Sequence, residues 1–309
     1  VPVCGESHDC LDSLLQNIKS ERFLVIVCVN RPDQHSKSTQ WSQENNKLIT
    51  RLKQTALAVN PLDQGYLLSF ESFDVCLLDF NDEPFETNQG VGLARKIAAD
   101  SALQLIDNQV ITSPWIYSTD ADVQLPTDYF SAIQNDTDYV AYSLPFKHMT
   151  DCNQLAQWQA LYDFKLSYYQ QAMRHIGSVY NYIPLGSCLV IHADAYAKVR
   201  GFPIRSGGED FYLLNKLAKI GRIGQPEVPI IKIKARLSQR VPFGTGPGLM
   251  KIKESKESTH FYHPQIFEEI KAWYQQLGDY FNNRVFPDNK RINDVWSIET
   301  VIDKVIKQT

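Results

Sequence analysis

Asp120 and Asp122 stand one residue apart in the stretch Pro114–Pro126, Pro-Trp-Ile-Tyr-Ser-Thr-Asp-Ala-Asp-Val-Gln-Leu-Pro. Two carboxylates at that spacing can offer oxygens to a hard divalent cation, which takes one or two carboxylates and completes its shell with substrate phosphates. A bare Asp-x-Asp is common by chance and also reads as a solvated turn, but its surroundings favour a site. Trp115, Ile116 and Tyr117 make an apolar run suited to a short buried strand, and Leu125-Pro126 closes the stretch. Ligands of open parallel sheets bind beyond the carboxyl ends of the strands. An EF-hand fits poorly, because Gln124, Leu125 and Pro126 stand where that loop needs another oxygen ligand and a glycine turn.

A second acid pair follows far downstream in Ser206-Gly207-Gly208-Glu209-Asp210. The glycines let the backbone approach a ligand or adopt a strained turn. The carboxylates then fall at a helix N-terminus, whose dipole favours the ionised form, and one of them can take a proton from a positioned hydroxyl. Simple helix capping is the alternative.

Other residues carry weaker signals. Arg236, Arg240 and the Gly-Thr-Gly-Pro-Gly run at 244–248 could lie over phosphate oxygens, which suit arginine's planar fork; a solvated surface loop is the alternative. His260 and His263 are too few for a zinc site. Trp158, Tyr162, Phe164, Tyr168 and Tyr169 could line a sugar-binding groove, with core packing the expected role of at least half of them. Gly90-x-Gly92-x-x-Arg95 lacks the third glycine of a dinucleotide fingerprint, which argues against NAD.

The elements that must hold these residues alternate. Strands are expected at Val1–Glu6, Phe23–Asn30, Phe73–Phe80 and Trp115–Tyr117. Helices are expected through Leu11–Ile18, over Gln43–Val59 with Asn60-Pro61 as its stop, and over Gly90–Asp107. That alternation predicts an α/β parallel sheet. Further on, strands are expected at Tyr139–Leu144, Ile183–His192 and Val228–Ile233. Helices are expected at Gln154–His175, up to Arg200, at Asp210–Ile220, Gln265–Phe281 and Ile292–Lys307, with a loop at Arg236–Gly248.

Composition narrows the partners. The chain has 309 residues, 43% hydrophobic and 21% charged, with a net charge of −4, which suits a soluble protein and does not recommend nucleic acid. Phe23–Val29 is its longest apolar run, too short to span a bilayer. No signal peptide is legible, and the opening Val-Pro-Val reads as the end of a strand, so a few preceding residues are expected. Six cysteines without a Cys-x-x-Cys pair point to the cytoplasm.

Taken together, Val-Pro-Val-x-x-Glu6, the strand at Phe23–Asn30, Gly92-Leu-Ala-Arg95-Lys, Asp120-Ala-Asp122 and Gly207-Gly-Glu-Asp210 have the order and approximate spacing of family 2 and related GT-A glycosyltransferases. The chain resembles them from Val1 to about Ile220. The resemblance implies a GT-A, Rossmann-like α/β fold: a mixed, mainly parallel sheet flanked by helices, with a C-terminal helical extension. It implies a catalytic domain over 1–235, with a nucleotide-sugar half (1–125) and an acceptor half (126–235). Residues 236–309 would add an active-site loop and helices packed on the same domain.

The implied activity is non-processive transfer of a sugar from a UDP- or GDP-sugar to a hydroxyl of a carbohydrate or lipid-linked acceptor. Mn2+ or Mg2+ would be the cofactor. Peripheral contact with the inner membrane face is compatible with this. By position, the backbone at Pro2 and Val3 and the side chain of Glu6 would border the nucleotide. Asn30 would stand at the base or ribose, and Arg95 would begin the helix facing the nucleotide. Asp120 would reach ribose or metal, Asp122 would ligate the metal, and a downstream histidine, His260 ahead of His263, would complete its shell. Asp210 would be the base and Glu209 would orient the acceptor.

The chain departs from the family in places. Val-Asn-Arg-Pro-Asp replaces the usual pair of Asp followed by Gly-Ser, leaving the nucleotide base open. Lys96 replaces an Asn. Gln-x-x-Arg-Trp is missing, so the processive synthases are poor guides. Gly-Gly-Glu-Asn occurs in retaining relatives, so Asp210 favours inversion. The rivals are a nucleotidyltransferase, for which Cys4-Gly5-Glu6-Ser7-His8 does not supply the Gly-rich basic loop, and a catalytically silent carbohydrate-binding protein. The enzymatic reading requires the Asp122 and Asp210 loops to meet across one cleft wide enough for an activated sugar.

Overall fold

A computed structural model describes residues 1–19, 22–86, 88–133, 138–237, 244–254 and 260–283. In chain order the elements are β1 (Pro2–Val3), α1 (Cys10–Leu15), β2 (Phe23–Val29), α2 (Ser38–Thr55), β3 (Ala58–Leu62), β4 (Gly65–Ser69), β5 (Phe73–Asp79), α3 (Gly90–Asp107), β6 (Trp115–Ser118), β7 (Val123–Gln124), β8 (Tyr139–Ser143), β9 (Phe146–Met149), α4 (Asn153–His175), β10 (Leu189–His192), α5 (Ala193–Lys198), α6 (Glu209–Leu217), β11 (Arg222–Gly224), β12 (Ile231–Lys234), α7 (Thr245–Glu254) and α8 (Pro264–Asn283). They fall into two compact units, Val1–Asp163 with Tyr182–Ser258, and Phe164–Asn181 with Thr259–Thr309.

The first unit is the mixed α/β architecture expected, with helices flanking its sheets. β2 is a β-branched run whose side chains alternate between two faces. Val25, Val27 and Val29 share a core with Leu48, Ile49 and Leu52 of α2. Cys28 and the half-buried Ile26 face the other way, onto Ala94, Ala98 and Ile97 of α3. The small residues of α3 let that helix lie close to the sheet. β1 and β5 flank β2 in parallel register, with Val3 opposite Val29 and Asp79 also opposite Val29. Both strands therefore end at the level where β2 ends.

β4 and β3 complete this sheet as an antiparallel hairpin, where the sequence pattern suggested a helix running to Val59. The helix stops at Thr55, and Asp63-Gln64 makes the turn. Gly65 follows at φ +134, and a Cβ there would lie 1.9 Å from the carbonyl oxygen of Leu77. Pro61 is tolerated because β3 is an exposed edge strand.

β6 does not extend that sheet. It pairs antiparallel with β10, Ser118 opposite Leu189, in the order β11-β8-β10-β6. A largely apolar cavity of about 490 Å3, lined by Leu24, Ile26, Ala98, Ile116 and Tyr117 among others, lies beside it. β7, β12 and β9 form a third small sheet. Alternating apolar runs reveal strands but not their neighbours, and β10 takes the place beside β6 because it is buried and paired along both edges.

The six cysteines form no disulfide: Cys10, Cys28, Cys76 and Cys188 are buried, Cys4 is half-buried and Cys152 is exposed. Among the described residues no helix is long and apolar enough to cross a membrane.

In the second unit, Tyr168 and Tyr169 of α4 meet the rings of Phe261, Tyr262 and Phe267, and the Tyr168 hydroxyl donates to the Tyr262 carbonyl at 2.7 Å. Phe164 contacts Phe261. Trp158 and Tyr162 belong to the first unit, where they face Lys253 and Gly248 of α7. The helix expected at Ile292–Lys307 lies outside the described residues.

Candidate active site

The first turn of α3 lies against the loop that precedes α6. Gly92 N–H donates to the Arg205 carbonyl at 3.0 Å. A Cβ on Gly92 would stand 2.5 Å from that oxygen, 2.6 Å from Arg205 N and 2.7 Å from the Pro203 carbonyl oxygen. These are backbone atoms, which cannot swing aside as a side chain would. Gly92→Ala is therefore expected to cost about 1–3 kcal/mol, read as a lower urea midpoint at unchanged m-value.

One turn further, Arg95 enters the interior and is 5% exposed. Its Nε donates to Glu209 Oε1 at 2.7 Å, and its Nη1 to Ser118 Oγ and to the Gly186 carbonyl, each at 2.9 Å. Its Nη2 donates to Asp120 Oδ1 in a short charged contact. The planar fork is thus used along several directions at once. Burial works against the charge, but the carboxylates of Asp120, Glu209 and Asp210 more than offset it and hold the guanidinium firmly protonated.

Gly186 faces both ways. Its carbonyl accepts from Arg95 and from Ser118 Oγ, and its N–H donates to Asp210 Oδ2 at 2.8 Å. A Cβ here would lie 2.4 Å from Arg95 Nη2. Asp210 Oδ1 accepts from Phe211 N–H at 2.7 Å, and Gly208 caps the helix in the left-handed region at φ +72, as glycine permits. Burial pushes the Asp210 carboxyl up to about 7; the adjacent Glu209 charge adds to the rise, while Arg95 and the two N–H donors oppose it. A carboxylate poised there can exchange protons near neutral pH.

The second acid of the Asp-x-Asp meets a different arginine. Arg236 Nη2 lies 2.7 Å from Asp122 Oδ2 and 3.1 Å from Glu6 Oε1, and its Nη1 lies 3.3 Å from Glu6 Oε2. Desolvation acts against this guanidinium, and Asp122 and Glu6 outweigh it, so it too is held protonated.

Asn30 is 6% exposed, with its amide nitrogen donating to the carbonyls of Val3 (3.1 Å) and Cys28 (3.3 Å). Its own carbonyl accepts from Asn45, which also binds Gly5 N–H and Asn81 Oδ1. The side chain thus ties β1 to β2 and braces the short strand that carries Pro2 and Val3.

Asp120, Glu209 and Asp210 are therefore gathered around Arg95, and Glu6 and Asp122 around Arg236. His260 is exposed and belongs to the second unit, and Arg240 lies outside the described residues. Among the described residues no group of three His, Cys, Asp or Glu stands ready to hold a metal. The two Asp-x-Asp carboxylates fit a hard cation that arrives with a diphosphate, which needs only one or two protein oxygens. They do not form a closed cage for a free ion. Sequence reasoning missed Ser118, Gly186, Asn45 and Asn81. The serine and the glycine had no local signal, since both act through contacts made across the chain.

No family model matches this chain, and no curated protein matches it. Three solved structures that resemble it are the mannosyltransferase PcManGT from Pyrobaculum calidifontis in complex with GDP-Man and Mn2+, S. aureus TarS 1-349, and S. aureus TarS 1-349 in complex with UDP-GlcNAc. The first is 12% identical with a TM-score of 0.41, over 97% of this chain and 78% of that one. The second is 11% identical at 0.42, over 92% and 71%. The third is 10% identical at 0.39, over 86% and 74%. At such low values the reading of the site rests on its own contacts.

Proposed function

We propose that this protein is a non-processive glycosyltransferase that moves a hexosyl group from a UDP- or GDP-sugar to an acceptor hydroxyl with inversion. The observation that carries the reading is the convergence of the Asp-x-Asp and the Gly-Gly-Glu-Asp loop on one buried arginine. Asp120 and Asp122 would hold Mn2+ or Mg2+, which when bound neutralises charge on the departing diphosphate.

The chain's own residues do the rest. Asp210, fixed by the N–H groups of Gly186 and Phe211, takes the proton of the acceptor hydroxyl. The acceptor oxygen forms its bond to the anomeric carbon as the bond from that carbon to the diphosphate oxygen breaks, and the electron pair leaves with the diphosphate. Glu209, held by Arg95 Nε, orients the acceptor. Inversion requires the base and the leaving group on opposite sides of the reacting carbon.

Incubation with Mn2+ and a panel of UDP- and GDP-sugars tests the reading. Nucleoside diphosphate release with at least one donor, abolished by a chelator, is the expected result. A donor at about 100 times its Kd should also stabilise the fold by about 2.7 kcal/mol. Neither turnover nor stabilisation with any donor would overturn the proposal.

A further inference from the structure

We propose that Arg236 is a built-in stand-in for the divalent cation, occupying Asp122 until metal and diphosphate arrive together. This rests on reading the Asp-x-Asp as a metal–nucleotide site. The two arginines of the site differ in kind. Arg95 is buried and held along several directions by partners from three separate stretches of chain. The Arg236 side chain is 37% exposed and reaches acids that are themselves well shielded, Asp122 at 18% and Glu6 at 14%.

A single atom, Nη2, touches both acids, so it marks the point where their negative charges converge. Two shielded carboxylates facing one point repel unless a positive charge sits there. A cation arriving at Asp122 must evict the guanidinium, and the two therefore compete for that carboxylate. The backbone behind Arg236 is anchored, since Ala235 N–H donates to the Met149 carbonyl at 2.9 Å. The exchange then needs only the side chain to move.

The competition has a direction. Without a nucleotide, eviction leaves the guanidinium without its two acids, so free metal binds weakly. With a nucleoside diphosphate present, phosphate oxygens accept the same planar fork, and the barrier to metal entry falls. Metal and diphosphate then strengthen each other's binding, as any linked pair must do reciprocally. Glu6 in this scheme acts as the holder of Arg236.

Calorimetric titration of Mn2+ into the wild-type protein, Arg236→Gln and Arg236→Lys, each with and without UDP or GDP, tests this. Without nucleotide, Arg236→Gln is expected to bind Mn2+ roughly 10-fold more tightly than wild type, and the advantage should vanish or reverse once nucleoside diphosphate is added. Arg236→Lys, which keeps the charge, should bind Mn2+ less tightly than Arg236→Gln. Equal or weaker Mn2+ binding by Arg236→Gln without nucleotide overturns the inference, as does equal affinity of the Gln and Lys variants. Mn2+ binding by none of the three, even with nucleotide, would sink the metal–nucleotide reading of the Asp-x-Asp as well.

Discussion

Asp210→Asn is expected to lower sugar transfer roughly 10²–10⁴-fold, the usual contribution of a general base. The amide keeps the shape and one acceptor oxygen but cannot take a proton. Donor binding should change little, because Asp210 touches Gly186 and Phe211 and neither arginine directly. The pH profile separates this role from a structural one. With its carboxyl raised to about 7, Asp210 is mostly protonated at pH 6 and mostly ionised at pH 8. Wild-type kcat/KM should therefore climb through neutrality and level off above it, whereas the residual activity of the variant should lack that limb.

Stability should move the other way. An acid whose folded value lies above its ordinary 3.8 binds its proton more tightly in the native state. The stability this confers is full below about pH 4 and is lost as pH rises through about 7. Asp210→Asn should flatten that part of the curve, measured by urea unfolding at pH 5 and pH 8.

Arg95→Met should have the largest effect on stability. Removing one partner of a buried pair leaves an uncompensated charge and costs about 3–5 kcal/mol. Here Glu209, 3% exposed, would lose its cation, and the Gly186 carbonyl would lose one donor. Arg95→Lys should fail as well, because one ammonium cannot reach Glu209, Ser118, Gly186 and Asp120 together. The paired variant Arg95→Met with Glu209→Met should recover part of the loss, since it removes the most deeply buried of the carboxylates that Arg95 compensates. A double-mutant cycle in urea is the measurement. Additive losses would mean that Arg95 and Glu209 do not act as a pair.

How much of this was legible beforehand depended on where the information resides. α3 was readable as Gly90–Asp107 because its apolar positions recur at helical spacing, and β2 and β5 were readable because their apolar residues are consecutive. The hairpin of β3 and β4 was hidden by Asn60-Pro61, which reads as a stop although an edge strand accommodates it. α7 was hidden by Gly-Thr-Gly-Pro-Gly, which reads as a loop. The helix in fact begins at Thr245, and Pro247 is tolerated in a first turn, where its missing N–H would have had no helical partner. In the site, Asp120, Asp122, Glu209 and Asp210 stood out by type and spacing, and Arg95 through the family resemblance. Ser118 and Gly186 lie 23 and 91 positions from Arg95, and pairing of β6 with β10 brings them together. Asn30 was visible as a residue, but its engagement with the backbone of β1 depends on how β1 and β2 lie side by side.

The distribution of the cysteines has a chemical consequence. The thiolate is the reactive species, and burial pushes Cys10, Cys28 and Cys188 up to about 12, with Cys76 raised as well. Electrophiles at neutral pH therefore meet Cys152, just ahead of α4, and secondarily Cys4 beside β1. The folded protein thus carries its own nearly unique attachment point for a fluorophore, and the four sheltered sulfurs become alkylatable only as the core comes apart.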